Sequence, residues 1–290
     1  MSLIQLILNG VALGAAYSLV ALGFVFIVNA TGAVNFAQGD LVMAGGYTAI
    51  TVSSLIALPF ILLLPLVAFV TFLLGVLFSL VAYFPLMRRP PATIFISTLL
   101  CGMILQNLFL VLFGPEAKSG PPLVGSGMMH FAGLELSRQG AGTIVVAAIV
   151  ITLQHALFTH TQFGRQLRAT AQDREMAEAI GIPAKVLIAV TFGLGSALAG
   201  IAGALLANQY FVYPTGGISL SIFAYIAVVV GGWGSLPGAV IGSLLISIFQ
   251  VVVSAYVSYA VATGSLYAFL LLIFLLRPQG IFGENVQRRA

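Results

Sequence analysis

The charged side chains that could do chemistry in this chain are concentrated in one segment. Residues 164–185 (GRQLRATAQDREMAEAIGIPAK) carry seven of the eighteen charged side chains, which comprise eleven Lys and Arg plus seven Asp and Glu. Long, almost charge-free apolar stretches flank this segment on both sides. Charge collected in this way indicates contact with a partner in water, although a solvated connecting loop is the ordinary alternative.

The same segment contains the start and stop signals of a short helix. Asp173 is a typical N-cap, and Glu175 lies in the predicted first turn. Gly181 suits the position just after the last turn, and Pro183 prevents continuation. A helix of about two turns is unstable alone, so it must dock on its own protein or on a partner. The predicted apolar surface of this helix consists of Met176, Ala177 and Ile180.

A first break in the apolar pattern, residues 29–40 (NATGAVNFAQGD), contains a second polar cluster. Asn35, Gln38 and Asp40 follow one another closely, and no other acidic residue precedes Glu116. A carboxylate is costly inside a bilayer, so Asp40 must be paired, solvated by a cavity or interfacial. The position favours Asp40 as the N-cap of the next helix, and a role in lining or gating a transport path is compatible with that.

A further interruption contains Pro237 and four glycines within residues 230–238 (VGGWGSLPG). Breaks of this kind often line transport paths, and the alternative is a simple turn at the membrane surface. The candidate path residues in this stretch are Gly232, Trp233 and Gly234.

Several catalytic classes find no support. The three histidines, which include His155 and His160, do not cluster as metal ligands would, and no His follows residue 160 to serve a hydrolase built on Ser196. No GxxxxGK[ST] phosphate loop occurs, so the chain cannot hydrolyse ATP by that route. We therefore expect no catalytic residue, no metal site and no cofactor. The net charge of +4 reflects membrane orientation rather than nucleic-acid binding, because the basic residues occupy short loops.

The elements that carry these residues are predicted to be membrane helices. The chain is 60% hydrophobic and 6% charged, and many apolar stretches approach the roughly 20 residues that span a bilayer. We expect an all-α, polytopic transmembrane helical bundle that forms one domain over residues 1–290, with eight or nine spans and some broken or short helices. The predicted spans are 3–29, 40–57, 59–86, 92–113, 141–160, 185–208, 221–232, 238–257 and 264–276.

Basic residues predict the orientation of this bundle. Nine of the eleven lie on one side if the spans alternate, and that side should be cytoplasmic together with the C-terminus. The loop at about 114–140 should face outward, and the loop at about 161–185 inward. The nine residues are Arg88, Arg89, Arg165, Arg168, Arg174, Lys185, Arg277, Arg288 and Arg289.

The chain resembles the membrane permease subunit of branched-chain amino acid ABC importers over nearly its whole length. The resemblance rests on NGVALGAAYSLVALGFVFIVNATGAVNFAQGDLVMAGGY, GRQLRATAQDREMAEAIGI, VVVGGWGSLPGAVIGSLL and LLIFLLRPQGIFG. It implies the permease fold of ABC importers in the cytoplasmic (inner) membrane. It also implies a second permease subunit, usually a different one, two cytoplasmic ATPases that bind ATP and Mg, and an extracytoplasmic substrate-binding protein.

The resemblance gives the charged segment a role, since the short helix would dock in a cleft of the ATPase. The implied ATPase-coupling residues are Arg165, Arg168, Asp173, Arg174, Glu175, Ala177, Glu178, Ala179 and Gly181. One departure is at residues 35–40, where the family commonly has Asn-Phe-Ala-His-Gly-Glu and this chain has Asn-Phe-Ala-Gln-Gly-Asp. The solute is expected to be a branched-chain or related hydrophobic amino acid, although relatives carry urea and short amides. The alternative is an ion-coupled secondary transporter, for which Asp40 is the available embedded ionisable group.

Overall fold

The computed structural model describes residues 2–56, 58–125, 127–131, 134–277 and 279–282. Arg288 and Arg289, which contribute to the predicted orientation, lie outside the described residues. In chain order the helices are α1 Leu3–Thr31, α2 Gln38–Leu55, α3 Phe60–Phe78, α4 Pro91–Phe113, α5 Arg138–His160, α6 Gln162–Gln172, α7 Arg174–Ala179, α8 Ala184–Leu206, α9 Gly217–Gly231, α10 Leu236–Tyr256 and α11 Tyr259–Leu276.

The predicted helical bundle is confirmed, with a small addition. Strands β1 (Met128–Phe131) and β2 (Leu134–Ser137) form an antiparallel hairpin in the long connection between α4 and α5. α3 continues through a π-helical turn at Ser79–Tyr83 and a 3-10 turn at Phe84–Leu86, so the whole span covers 60–86.

The predicted number of spans is slightly too high. Within the described ranges, seven helices are long and apolar enough to cross a membrane: α1, the 60–86 span, α4, α5, α8, α10 and α11. The two other predicted spans correspond to α2, whose first residues are polar, and to α9, a shorter apolar helix of 15 residues. The sequence favoured full spans here because both helices are strongly apolar after their first residues, and composition does not show where in the membrane a helix starts.

Helices α1 to α4 and helices α8 to α11 form two similar halves. Each half begins with a long helix, continues through a break into a shorter helix and ends with two further helices. α1 packs against α10 just as α8 packs against α3, and α1 and α8 also pack against each other. The middle of α1 meets the middle of α8 at Gly23 and Gly195, and the end of α1 lies by the start of α8 at Ile27 and Ile188. The halves therefore run in opposite directions, the inverted arrangement common in transporters.

The shorter helices of the two halves meet at their N-terminal ends. A Cβ on Gly39 of α2 would lie 1.8 Å from the Gly217 carbonyl oxygen of α9, and a Cβ on Gly217 would lie 2.5 Å from the Gly39 backbone. Such approach is possible only for glycine, and small residues allow it where lipid provides no hydrophobic drive between helices. The Gly39 amide also donates to Ser221 Oγ at 2.7 Å. The break between α1 and α2 and the break between α8 and α9 thus lead to the same point in the bundle.

Candidate functional site

The charged segment 164–185 folds as two helices, of which sequence analysis recognised one. α6 begins at an N-cap, Thr161, whose hydroxyl accepts from the Gly164 amide at 3.3 Å. Leu167 and Thr170 are buried against the bundle, and α6 packs on α1, α5 and α8. Their spacing, together with Phe163 one turn earlier, is the apolar helical period that could have revealed α6 in a polar stretch.

Two contacts fix α6 beneath the end of α5. The Arg168 guanidinium donates to the Phe158 carbonyl oxygen, one of the last carbonyls of α5. A cation in this position complements the negative end of a helix. Gly164 lies so close that a Cβ on it would be 2.0 Å from the same oxygen. These contacts therefore fix α6 in position against the end of the bundle.

The predicted short helix is confirmed as α7, with the predicted start and stop signals. The Asp173 carboxylate accepts from the Met176 amide at 3.0 Å, as an N-cap does. Gly181 has φ +85°, the left-handed conformation that favours glycine after a helix end. Pro183 then precedes α8 as its N-cap.

One face of α7 docks on its own bundle. Ala177 is buried, so the prediction that it belongs to the projecting apolar surface is wrong. The error arose because a two-turn helix in isolation gives no indication of which face docks. Arg174 lies on this side too: its guanidinium reaches Met87 Sδ at 3.7 Å and lies within interaction range of Tyr83, while its Nε donates to Glu178 Oε1 at 3.2 Å.

The opposite face of α7 is exposed. Met176 is 61% exposed and Ile180 70% exposed, which is unusual for large apolar side chains on a positioned helix. Glu175, Glu178 and Ala179 are exposed around them. We call this set, Glu175, Met176, Glu178, Ala179 and Ile180, the α7 outer face.

Within the first predicted break (29–40), the non-helical residues 32–37 return the chain to the middle of the bundle. The Asn35 side chain accepts from the Ala37 amide at 3.1 Å, and the Gln38 amide group donates to the Gly195 carbonyl oxygen at 2.9 Å. Gly195 is at the centre of α8, so α2 starts at mid-depth. Asn35 and Gln38 are fully covered by their neighbours within this chain.

Asp40 does not cap α2, which corrects the favoured interpretation of this residue. The N-cap of α2 is Ala37, which makes no side-chain cap bond, and Asp40 lies inside the first turn. Its Oδ1 accepts from Gln106 Nε2 of α4 at 2.8 Å, and only 5% of the residue is exposed. The carboxylate is a cross-link between α2 and α4, made possible by the missing side chain at Gly102.

Within the second predicted break (230–238), the non-helical residues 232–235 lie at the end of the bundle that carries α6 and α7. Gly232 and Gly234 both have positive φ, at +118° and +80°. The Asn29 amide group, near the end of α1, donates to the Gly234 carbonyl oxygen at 3.0 Å. Trp233 between the two glycines is 45% exposed.

A third break, residues 207–216, was predicted only as the connection between the spans 185–208 and 221–232, and its return into the bundle was not foreseen. It connects α8 to α9 and brings Val212 back against Gly46 of α2, while Lys118 and Val212 exchange backbone hydrogen bonds of 2.8 and 2.7 Å. The signal that could have revealed it is the turn-forming run Pro214 to Gly217.

Charge is distributed unequally between the two ends of the bundle. The end formed by α6, α7 and the break at 232–235 carries Arg88, Arg89, Arg165, Arg168, Arg174, Lys185 and Arg277. Lys118 and Arg138 lie at the opposite end with the β hairpin. In the part of the chain that the structure describes, no group of three or more His, Cys, Asp or Glu side chains could hold a metal ion.

This arrangement defines a membrane subunit of an ABC importer. The family model for the branched-chain amino acid transport system permease component matches residues 6–276, and the chain belongs to that family. The permease BraD of Pseudomonas aeruginosa is 32% identical, covering 97% of this chain and 96% of BraD, and LivH of Escherichia coli K12 is 32% identical with the same coverage. A ribose import permease, RbsC of Haemophilus influenzae, is 25% identical over 83% of this chain and 74% of its own length.

The solved structure of PsaBC from Streptococcus pneumoniae in complex with Fab contains a chain of similar fold. The TM-score is 0.50 at 16% identity, covering 96% of this chain and 93% of that chain. At this identity the likeness concerns the fold alone.

Proposed function

We propose that this subunit passes branched-chain or related hydrophobic amino acids across the cytoplasmic membrane, driven by ATP hydrolysis in separate subunits. The observation that carries the proposal is α7: one face is docked through Ala177 and Arg174, and the other presents large apolar side chains to water. The permeases BraD and LivH, named for high-affinity branched-chain amino acid transport, support the choice of solute.

In this proposal the residues of the coupling segment divide into two groups. Arg168, Asp173, Arg174, Ala177 and Gly181 shape and hold the segment, because their side chains or backbone serve contacts within the chain. Glu175, Glu178 and Ala179 of the α7 outer face, with Arg165 on the exposed side of α6, contact the ATPase. Arg174 of α7 contacts Met87, which directly follows the 60–86 span. A displacement of α7 is therefore transmitted directly to a membrane helix.

The proposed assembly contains a second permease subunit, two ATPases and an extracytoplasmic substrate-binding protein. ATP and Mg are bound by the ATPases, and this chain contributes no catalytic residue. The excess of basic residues at the α6–α7 end supports a cytoplasmic location for that end and for the C-terminus, since Lys and Arg accumulate in cytoplasmic loops.

The breaks are the proposed walls of the solute path. Asn35, Gln38 and Asp40 hold the first break at mid-depth through their buried hydrogen bonds. Gly232, Trp233 and Gly234 form the second break where the path would open at the α6–α7 end.

Reconstitution tests this proposal against ion coupling. The chain is assembled in liposomes with a candidate partner permease, ATPases and binding protein, and leucine uptake is measured with proton and sodium gradients collapsed by ionophores. We expect uptake that depends on ATP and on the binding protein. Uptake that requires an ion gradient and proceeds without ATP would support a secondary transporter instead.

A further inference from the structure

Four aromatic rings form a continuous row that connects the two predicted breaks. Phe36 contacts Phe95 of α4 edge-on with ring centroids 4.5 Å apart, and it contacts Tyr225 of α9 at 5.9 Å. Tyr225 in turn meets Trp233 edge-on at 5.9 Å. We call Phe95, Phe36, Tyr225 and Trp233 the aromatic row.

From Phe36 to Trp233 the row runs from the first break toward the α6–α7 end. Phe36 lies two residues before Gln38, and the Gln38 side chain donates to the Gly195 carbonyl oxygen at the centre of α8. Trp233 follows α9 in the break that is tied to the end of α1 through Asn29. This part of the row therefore lies between the first break and the end of the bundle where the coupling segment lies.

The row lies on an uncovered face of otherwise central elements. In α9, Phe223, Ala224 and Ile226 are buried, whereas Ile218, Ile222 and Tyr225 are not. These three follow a helical period of four and three residues, so they share one face of α9. Phe36 is only half-buried, and Phe95 and Trp233 are exposed.

The face that carries the aromatic row is not suited to contact with lipid. Phe36 belongs to the non-helical break at mid-depth, and non-helical backbone at that depth occurs where protein buries it or a watery cavity solvates it. The uncovered side of Phe36 must therefore face a second protein surface or a water-filled space between two subunits. A transport path between paired permeases provides both.

We propose that the aromatic row lines the solute path between the first break and the α6–α7 end, and that the apolar side chain of the amino acid packs against its ring faces; this rests on the proposed function. Aromatic faces bind aliphatic groups over a large area without fixing one geometry. The charged ends of the solute would remain with water and with the backbone at the breaks. The row would favour leucine over alanine, while the binding protein makes the first selection.

Thiol accessibility distinguishes a watery path from lipid or from a sealed subunit interface. In a Cys101→Ala background of the full complex, Tyr225→Cys and Trp233→Cys are treated with a membrane-impermeant methanethiosulfonate from the cytoplasmic face. Phe269→Cys is the control, since Phe269 is a similarly exposed aromatic residue stacked on Phe249 of α10. We expect both row positions to react and to be slowed by leucine during turnover, with Phe269→Cys unreactive. An unreactive Tyr225→Cys in an assembled complex, or reaction that leucine does not slow, would overturn the proposal.

Selectivity provides a second readout that does not depend on labelling. Trp233→Ala lies in an exposed position, where the fold tolerates truncation best, and Tyr225→Ala extends the test to α9. Removal of one ring is expected to lower the preference for leucine over alanine by about tenfold in kcat/KM, of the order found for losing one aliphatic contact. Trp233→Phe should retain most of the preference, and Phe269→Ala all of it.

These results separate failure of this inference from failure of the proposed function. If the wild-type complex takes up no amino acid with ATP, the proposed function fails. If the wild type transports leucine and Trp233→Ala and Tyr225→Ala keep its full preference over alanine, the aromatic row is not part of the path.

Discussion

The segment 35–40 and the segment 173–181 are both short, polar and placed between apolar helices, yet the fold uses them in opposite ways. Polar side chains of the first segment are buried and bonded to distant elements, namely α8 through Gln38 and α4 through Asp40. The second segment satisfies its polar groups locally, through the Asp173 cap and the Arg174–Glu178 pair, and exposes the rest. Buried polar groups that are fully bonded hold a structure together, whereas exposed ones are available to partners.

A glycine substitution in the first segment should have the largest effect and tests this comparison most sharply. Gly39→Ala places a methyl carbon 1.8 Å from a backbone oxygen of α9, which neither helix can avoid without moving. We expect loss of folded protein in detergent, measured by size-exclusion chromatography. Gly264→Ala is the matched control in α11: no atom lies within 4 Å of its would-be Cβ, so it should be as stable as the wild type or slightly more stable. A well-folded Gly39→Ala would show that the two half-helices are not in close contact.

Removal of the bond between α2 and α8 should have the next largest effect. Gln38→Leu leaves the Gly195 carbonyl oxygen without its side-chain donor inside the bundle. The expected loss is about 1–3 kcal/mol in the free energy of unfolding. Denaturant unfolding of the purified chain measures it, and Gln38→Glu, which removes the donated bond but keeps the shape, should also destabilise. An unchanged unfolding midpoint in both variants would mean that this contact does not stabilise the bundle.

Loss of the α7 cap should have a smaller and local effect. Asp173→Ala removes the acceptor for the Met176 amide, at a typical cost of about 1 kcal/mol for an N-cap. We expect faster hydrogen exchange in α7 and lower ATP turnover in the assembled complex, with the melting of the bundle almost unchanged. Asp173→Asn or Asp173→Ser should restore both readouts, because either side chain can cap. Exchange that is equally slow in Asp173→Ala would show that α7 does not depend on its cap.

The smallest effect is expected from Asp40→Asn. The asparagine oxygen can accept from Gln106 Nε2 as the carboxylate does, so stability and leucine uptake should both stay near wild-type levels. Uptake assays in liposomes, paired with unfolding of the same preparation, measure the two. A large loss of uptake at unchanged stability would show that the charge itself acts in transport, which would favour ion coupling.

The sequence predicted local structure well where local chemistry decides it. The bounds of α7, its Asp173 cap and the left-handed Gly181 follow from residues within a few positions of one another. Asp40 was assigned to a cap by the same logic, and here the outcome was different because its partner, Gln106, is 66 residues away. Rules of local propensity do not take into account a contact between residues so far apart in the sequence.

Depth within the bundle was also beyond sequence reasoning. The apolar pattern indicated α2 and α9 as spans, but their starts at mid-depth result from the contact of Gly39 with Gly217, which lie in different halves of the chain. α6 was overlooked because a charged helix that buries Gly164, Leu167 and Thr170 alone differs little from a solvated loop in composition. The inverted relation of the two halves became visible only from which helices pack together.

The central claim is that the α7 outer face couples this subunit to an ATPase, and Ala179→Arg tests it most directly. Ala179 is exposed, so the variant should fold and melt like the wild type. Ala171→Arg, the same change at an exposed alanine of α6, is the control. In the reconstituted importer, we predict that Ala179→Arg abolishes co-purification of the ATPases or uncouples their turnover from substrate, while Ala171→Arg does neither. Normal assembly and normal substrate-stimulated ATP turnover in Ala179→Arg would contradict the account.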